Sequence, residues 1–92
     1  MTDELRLQAG EILRFYGEAH QQEKSIEEMA ELISAIKHGD RKNYIEELAD
    51  CIVMNEQLFQ ALSFEEQQAC IVTIHEKISR QLKRIKEAND GR

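Results

Sequence analysis

Ninety-two residues with no proline, four glycines and 33% charged side chains describe one short all-helical domain, 1–92, whose modest core a second subunit would help to close. The net charge of −6 argues against coating a nucleic acid, because counterion release needs a basic footprint. No apolar run approaches the ~18 residues of a membrane span and the charged N-terminus carries no apolar signal core, so a cytoplasmic protein is expected.

The first helix is predicted from Asp3 to His20, where Leu5, Ala9, Ile12, Tyr16 and Ala19 recur in three- and four-residue steps. Gly17 interrupts that pattern and marks either a close approach or an early end. Gln21 to Lys24 reads as a polar connection, and Ser25, with Glu28 three residues on, suits a capping box opening the second helix. His38-Gly39-Asp40 supplies a glycine stop, and Arg41-Lys42 reads as a basic loop. The third helix is predicted from Asn43 to Leu62. Its run Cys51-Ile52-Val53-Met54 is apolar on more than one side, so it should be the most buried element, with Val53 pointing to a subunit interface. Ser63-Phe64-Glu65-Glu66 opens a last helix, along which Ile71, Ile74, Ile78, Leu82 and Ile85 form a heptad-like stripe before fraying from Asn89 to Arg92. Cys51 and Cys70 read as reduced core residues, Met29 and Met54 as core filler, and Tyr16 and Phe15 as packing residues.

One phrase occurs twice, nineteen residues apart: Ile26-Glu27-Glu28-Met29-Ala30-Glu31-Leu32-Ile33 and Ile45-Glu46-Glu47-Leu48-Ala49-Asp50-Cys51-Ile52, with five of eight positions identical. On a helical wheel with Glu28 at zero, Ala35, Leu32, Ile36, Met29, Ile33 and Ile26 fill an arc from roughly −20° to +160°. Glu28 lies inside that apolar arc and Glu31 on its edge; Glu47 and Asp50 repeat the placement on the third helix. Acids beside an apolar stripe are commonly the solvated flank of an amphipathic helix, but the duplication favours convergence of all four. At about 4 Å and an effective dielectric near 20, each like-charged pair costs on the order of 4 kcal/mol, so protons or a cation must intervene. An all-oxygen donor set suits a hard cation, most plausibly Mg²⁺. The Ser25 capping box would compete for Glu28. The metal role is preferred because Glu47 stands one position further from its own expected cap, Asn43. Both acid pairs fall in the first turn or two of their predicted helices, so antiparallel packing would separate them unless the helices cross near their starts, are offset, or a neighbouring subunit completes the site.

These residues resemble the MazG-like all-α nucleoside triphosphate pyrophosphohydrolases, whose pattern is E-x-x-E, a spacer of twelve to twenty-eight residues, then E-x-x-D. Glu28, Glu31, a fifteen-residue spacer, Glu47 and Asp50 satisfy it, and the likeness runs on through Ile52-Val53-Met54-Asn55-Glu56-Gln57-Leu58 to Lys77, Arg80, Lys83 and Arg84. The resemblance implies a four-helix MazG-like bundle completed by oligomerisation, as a homodimer or homotetramer. It also implies Mg²⁺-dependent hydrolysis of a (d)NTP to (d)NMP and pyrophosphate in nucleotide-pool housecleaning. Glu28, Glu31, Glu47 and Asp50 would be the metal-binding and catalytic residues. No G-x-x-x-x-G-K-[ST] loop is present to hold the triphosphate. Lys77, Arg80 and Arg84, and more weakly Lys24, are the candidates for contacting it, although a solvated basic flank explains the first three equally well. Two other readings remain open. One is a helical interaction or nucleotide-binding module without turnover. The other is a phosphoribosyl-ATP pyrophosphohydrolase, whose acid-Ala-Ala-Asp motif followed by Leu-Leu is matched less well by Glu47-Leu48-Ala49-Asp50-Cys51.

Overall fold

The computed structural model describes residues 1–91 and contains, among them, four helices and no strand: α1 (Asp3–Tyr16), α2 (Glu18–His38), α3 (Arg41–Gln60) and α4 (Phe64–Asp90). The chain is therefore all-α, as expected. It forms two compact units, Met1–Ala61 carrying α1 to α3, and Leu62 onward carrying α4.

Three boundaries differ from expectation, each for a local reason. Gly17, at φ 88° and ψ 159°, adopts a conformation that side-chain-bearing residues avoid, so α1 ends at Tyr16 and α2 begins at Glu18. The expected polar connection at 21–24 is helical, and Ser25 is not a cap. Its hydroxyl is buried and donates to the Gln21 carbonyl 2.8 Å away, one turn back in the same helix. Glu28 is thereby released from the capping box. At the next turn Gly39, in the left-handed region at φ 69°, stops α2. Asp40, not Asn43, then caps α3 by accepting from the Asn43 amide at 3.2 Å, which makes Arg41 and Lys42 the first helical residues.

Helices α2 and α3 are antiparallel neighbours. The pairings that join them, Gln21 with Gln57, Glu28 with Cys51 and Glu31 with Glu47, run in opposite chain directions. Helix α1 lies against the C-terminal half of α3, held by Gln60 Nε2 donating to the Arg6 carbonyl at 2.8 Å and by an Arg6–Glu56 ion pair at 3.3 Å.

The interior of this unit is half polar: Ala9, Ala35, Cys51 and Met54 are buried beside Gln21, Ser25, Glu28 and Gln57. The expectation that α3 would be the most buried element is not met, because Ile45, Leu48, Ile52 and Val53 stay exposed and α2 buries as much. On α2, Ile26, Met29, Ile33 and Ile36 are likewise exposed. Relative to Glu28 and Glu47 these side chains, Val53 excepted, sit roughly 80–160° around their helices, and in an antiparallel pair equal rotations point to the same side. The hairpin thus has an apolar side and an acidic side.

In the second unit, Ser63 and Glu66 form the expected capping box, with Ser63 Oγ accepting from the Glu66 amide at 3.2 Å and Glu66 Oε1 from the Ser63 amide at 2.9 Å. Those bonds hold the Glu66 carboxyl below the usual carboxylate range. Ser63→Ala should cost about 0.5–2 kcal/mol of helix stability, read as faster amide exchange at Glu65 and Glu66 than in the parent chain. No residue of α4 is buried, and Ile71, Ile74, Ile78, Leu82 and Ile85 line one exposed stripe. Cys51 is buried and Cys70 half-buried, both as free thiols.

Candidate functional site

Extending α2 backwards to Glu18 moves its acids away from the helix start. Glu28 falls at the midpoint of α2 and Asp50 near the midpoint of α3. Antiparallel packing brings midpoints together, so neither an offset nor a crossing at the helix starts is needed. The first acid of each motif faces the second acid of the other: Glu28 meets Asp50, and Glu31 meets Glu47. A near-identical phrase on two antiparallel helices generates this arrangement through a local two-fold relation.

Carboxylate oxygens of Glu28, Glu47 and Asp50 lie within 4.8 Å of one another, and Glu31 joins them through its hydrogen bond to Glu47. Glu28 is buried, Glu47 half-buried, and Asp50 and Glu31 are exposed. Two oxygens, Glu28 Oε2 and Glu47 Oε2, are buried with no hydrogen-bond partner. An unsatisfied buried carboxylate oxygen is costly, and two aimed into one cluster call for a proton or a cation. Two of these acids, Glu47 and Asp50, hold their protons more tightly than free carboxyls do. The Glu47 carboxyl is pushed up, first by its hydrogen bond with Glu31, then by burial and by the charges of Glu31, Asp50 and Glu28. Asp50 is pushed up by burial and by Glu28, with Lys24 partly opposing. The Cys51 thiol, which donates to the Glu28 carbonyl, is also pushed up by burial and by the surrounding acids.

Lys24 is the counter-ion already in place. Its ammonium lies 3.3 Å from Glu28 Oε1 and 3.6 Å from Glu27 Oε2, and these two acids raise its pKa. One monovalent charge at the rim leaves the buried oxygens on the far side of Glu28 and Glu47 without a partner. The donor set is all oxygen, which suits a hard divalent ion such as Mg²⁺.

Beside the acids, α1, α2 and α3 enclose an open cleft of about 630 Å³. Its charged lining is Glu23, Lys24, Glu27, Glu28 and Asp50; the rest is Ile12, Tyr16, His20, Gln21, Val53, Met54 and Gln57. Tyr16, expected in the core, is instead half exposed and stacks on His20 with ring centroids 4.8 Å apart. Phe15 is 81% exposed, also contrary to expectation. Val53 lines the cleft. Lys77, Arg80 and Arg84 all stand exposed on α4, in the second unit.

Sequence reasoning missed the two buried glutamines. A signal was nonetheless present: Gln21 precedes Glu28 by seven residues and Gln57 follows Asp50 by seven, so the antiparallel register that sets Glu28 opposite Asp50 also sets the two glutamines opposite each other.

The MazG nucleotide pyrophosphohydrolase domain matches residues 19–87, which span α2, α3 and nearly all of α4. With three quarters of its length matched, the chain belongs to the MazG nucleotide pyrophosphohydrolase domain family. No curated protein and no solved structure gives a significant match. No helix among the described residues is long and apolar enough to cross a membrane.

Proposed function

We propose that this chain is a Mg²⁺-dependent pyrophosphohydrolase that cleaves a (d)NTP between its α- and β-phosphates, releasing (d)NMP and pyrophosphate in nucleotide-pool housecleaning. One observation supports the reading: the carboxylates of Glu28, Glu47 and Asp50 converge, with Glu31 beside Glu47 and two oxygens buried without any partner, next to a cleft large enough for a nucleotide. Glu28, Glu31, Glu47 and Asp50 would hold the metal. When bound, Mg²⁺ neutralises phosphate charge and makes water a better nucleophile.

The chain's own groups do the rest. Glu28, buried, and Glu47, half-buried, fix the donor positions, and Asp50 and Glu31 are accessible enough to accept a proton from water. Lys24, released from Glu28 as the cluster is neutralised, is free to contact a phosphate oxygen. The exposed cations Lys77, Arg80 and Arg84 are assigned to the polyphosphate as well, and the family match across α4 supports treating 1–92 as one functional domain. The exposed apolar side of the α2–α3 hairpin and the stripe on α4 support a homodimer or homotetramer, since apolar patches of this extent mark interaction surfaces. A cytoplasmic location completes the reading.

The test is pyrophosphate release from a panel of (d)NTPs with Mg²⁺, scored separately for orthophosphate. Stoichiometric monophosphate and pyrophosphate are expected. Release of orthophosphate would move cleavage to the β–γ bond, and no release from any triphosphate would leave a nucleotide-binding or interaction module.

A further inference from the structure

Two helical turns from the acids, about 10 Å along α2 and α3, the floor of the cleft is a pair of carboxamides. Gln21 and Gln57 are 4% and 1% exposed, and Gln21 Nε2 donates to Gln57 Oε1 at 2.8 Å. Gln21 Oε1 lies 2.7 Å from His20 Nδ1, so with the Gln21 amide nitrogen turned toward Gln57 the His20 tautomer in place is the one that carries its proton on Nδ1. The Gln57 amide nitrogen is then left with the Met54 thioether at 3.8 Å, a weak acceptor. Each carboxamide brings two N–H donors. Each carbonyl oxygen already accepts one hydrogen bond, whereas one donor of Gln21 and those of Gln57 lack a strong acceptor. Unsatisfied N–H groups therefore line this part of the cleft, beside Ile12 and Tyr16 of α1 and Val53 and Met54 of α3.

We propose that Gln21 and Gln57 read the edge of the substrate's base, and that the pair selects bases carrying a carbonyl oxygen at that edge over those carrying an amino group. The inference rests on the nucleotide reading of the acid cluster and deepens it from a triphosphate to a class of base. A carbonyl oxygen takes up the idle N–H groups, replacing a sulfur contact with a hydrogen bond. An exocyclic amino group brings a donor against donors and leaves buried polar groups opposed. The flat base fits among Ile12 and Tyr16 of α1 and Val53 and Met54 of α3, where apolar and aromatic contact tolerates either ring size.

The test compares substrates that differ in this one group: dUTP against dCTP, and dITP against dATP. The keto member of each pair should have the higher kcat/KM, by about tenfold or more. Gln57→Met, close in volume and lacking both donors, should reduce that ratio to near unity while leaving the Mg²⁺-dependent melting shift in place. A ratio unchanged in Gln57→Met, or a wild-type preference for dCTP and dATP, overturns the proposal. A second measurement does not depend on the variant folding or on turnover. In ¹⁵N spectra of the wild-type protein, the Gln57 side-chain amide should shift on titration with dUMP and not with dCMP. Equal responses to both nucleotides, or none, reject the pair as a base reader. A protein that hydrolyses no triphosphate yet gives the dUMP-selective shift would reject the enzymatic reading and retain this one.

Discussion

Transferring the protein from Mg²⁺ at about 100 times its Kd into chelator should lower its melting temperature by ~10–20 °C. A ligand that binds only the folded state at that concentration adds about 2.7 kcal/mol, and in a domain of this size each kcal/mol moves Tm by about 4–8 °C. The effect is expected because the folded, metal-free chain contains its own opposition. Glu28 Oε2 and Glu47 Oε2 are buried without partners, and Lys24 compensates only the rim of the cluster. A divalent ion held by these carboxylates would relieve the repulsion and give the orphaned oxygens a partner. Differential scanning calorimetry in Mg²⁺, in Ca²⁺ and in chelator measures it. A Tm indifferent to all three would reject a metal site here.

The second large effect separates function from stability. Glu47→Gln should reduce pyrophosphate release by ~100-fold or more, since even partners that merely support a metal ligand cost 10–100-fold when removed. The same change should raise the Tm of the metal-free protein. An amide at this position loses the charge facing Glu31, Asp50 and Glu28, and it can donate to Glu31 without borrowing a proton. Asp50→Asn should behave similarly through its contact with Glu28.

The pH dependence follows from the same carboxyls. Glu47 and Asp50 titrate higher in the folded chain than in the unfolded one, so over that interval the folded state holds protons that the unfolded state has released. Stability of the metal-free protein then falls as pH rises from about pH 4 through the raised values, with the penalty absent below and full above. Glu66 has the opposite sign, contributing stability that is lost as pH falls through its lowered value, so the comparison must be wild type against Glu47→Gln rather than either alone. The variant should lose less stability as pH rises, and Mg²⁺ should flatten the wild-type curve. A variant that is inactive and also less stable at neutral pH would contradict repulsion as the property of this cluster.

The acids were legible because their chemistry repeats: the same eight-residue phrase placed Glu28 and Glu47 inside apolar arcs, where an isolated carboxylate is out of place. How they meet was not legible, because it depends on where α2 begins. Ser25 and Glu28 have the spacing of a capping box, and local pattern alone cannot distinguish that box from a mid-helix serine bonded to Gln21. The decision is made eight residues before Ser25 by the backbone of Gly17, and it carries Glu28 from the helix start to its centre. The arcs themselves were read too generously. Periodicity reports which residues share a face, but it does not say whether this chain supplies anything to cover it; Ile33, Ile36, Ile45 and Ile52 remain exposed. The cleft was invisible for a related reason. Glutamines at 21 and 57 look like any polar surface residues until two helices set them opposite each other.

The link between α2 and α3 is only Gly39 and Asp40, and its shortness acts as a ruler. One extra residue wound into either helix would turn everything beyond it by about 100°, swinging Glu47 and Asp50 away from Glu28 and Glu31 together. Extra residues looped outward at the tip would leave the pairing intact, and each doubling of such a loop costs only about 0.6 kcal/mol. Insertions at this tip are thus tolerable as bulging chain and ruinous as additional turns, so the place where the hairpin reverses governs the chemistry at its middle.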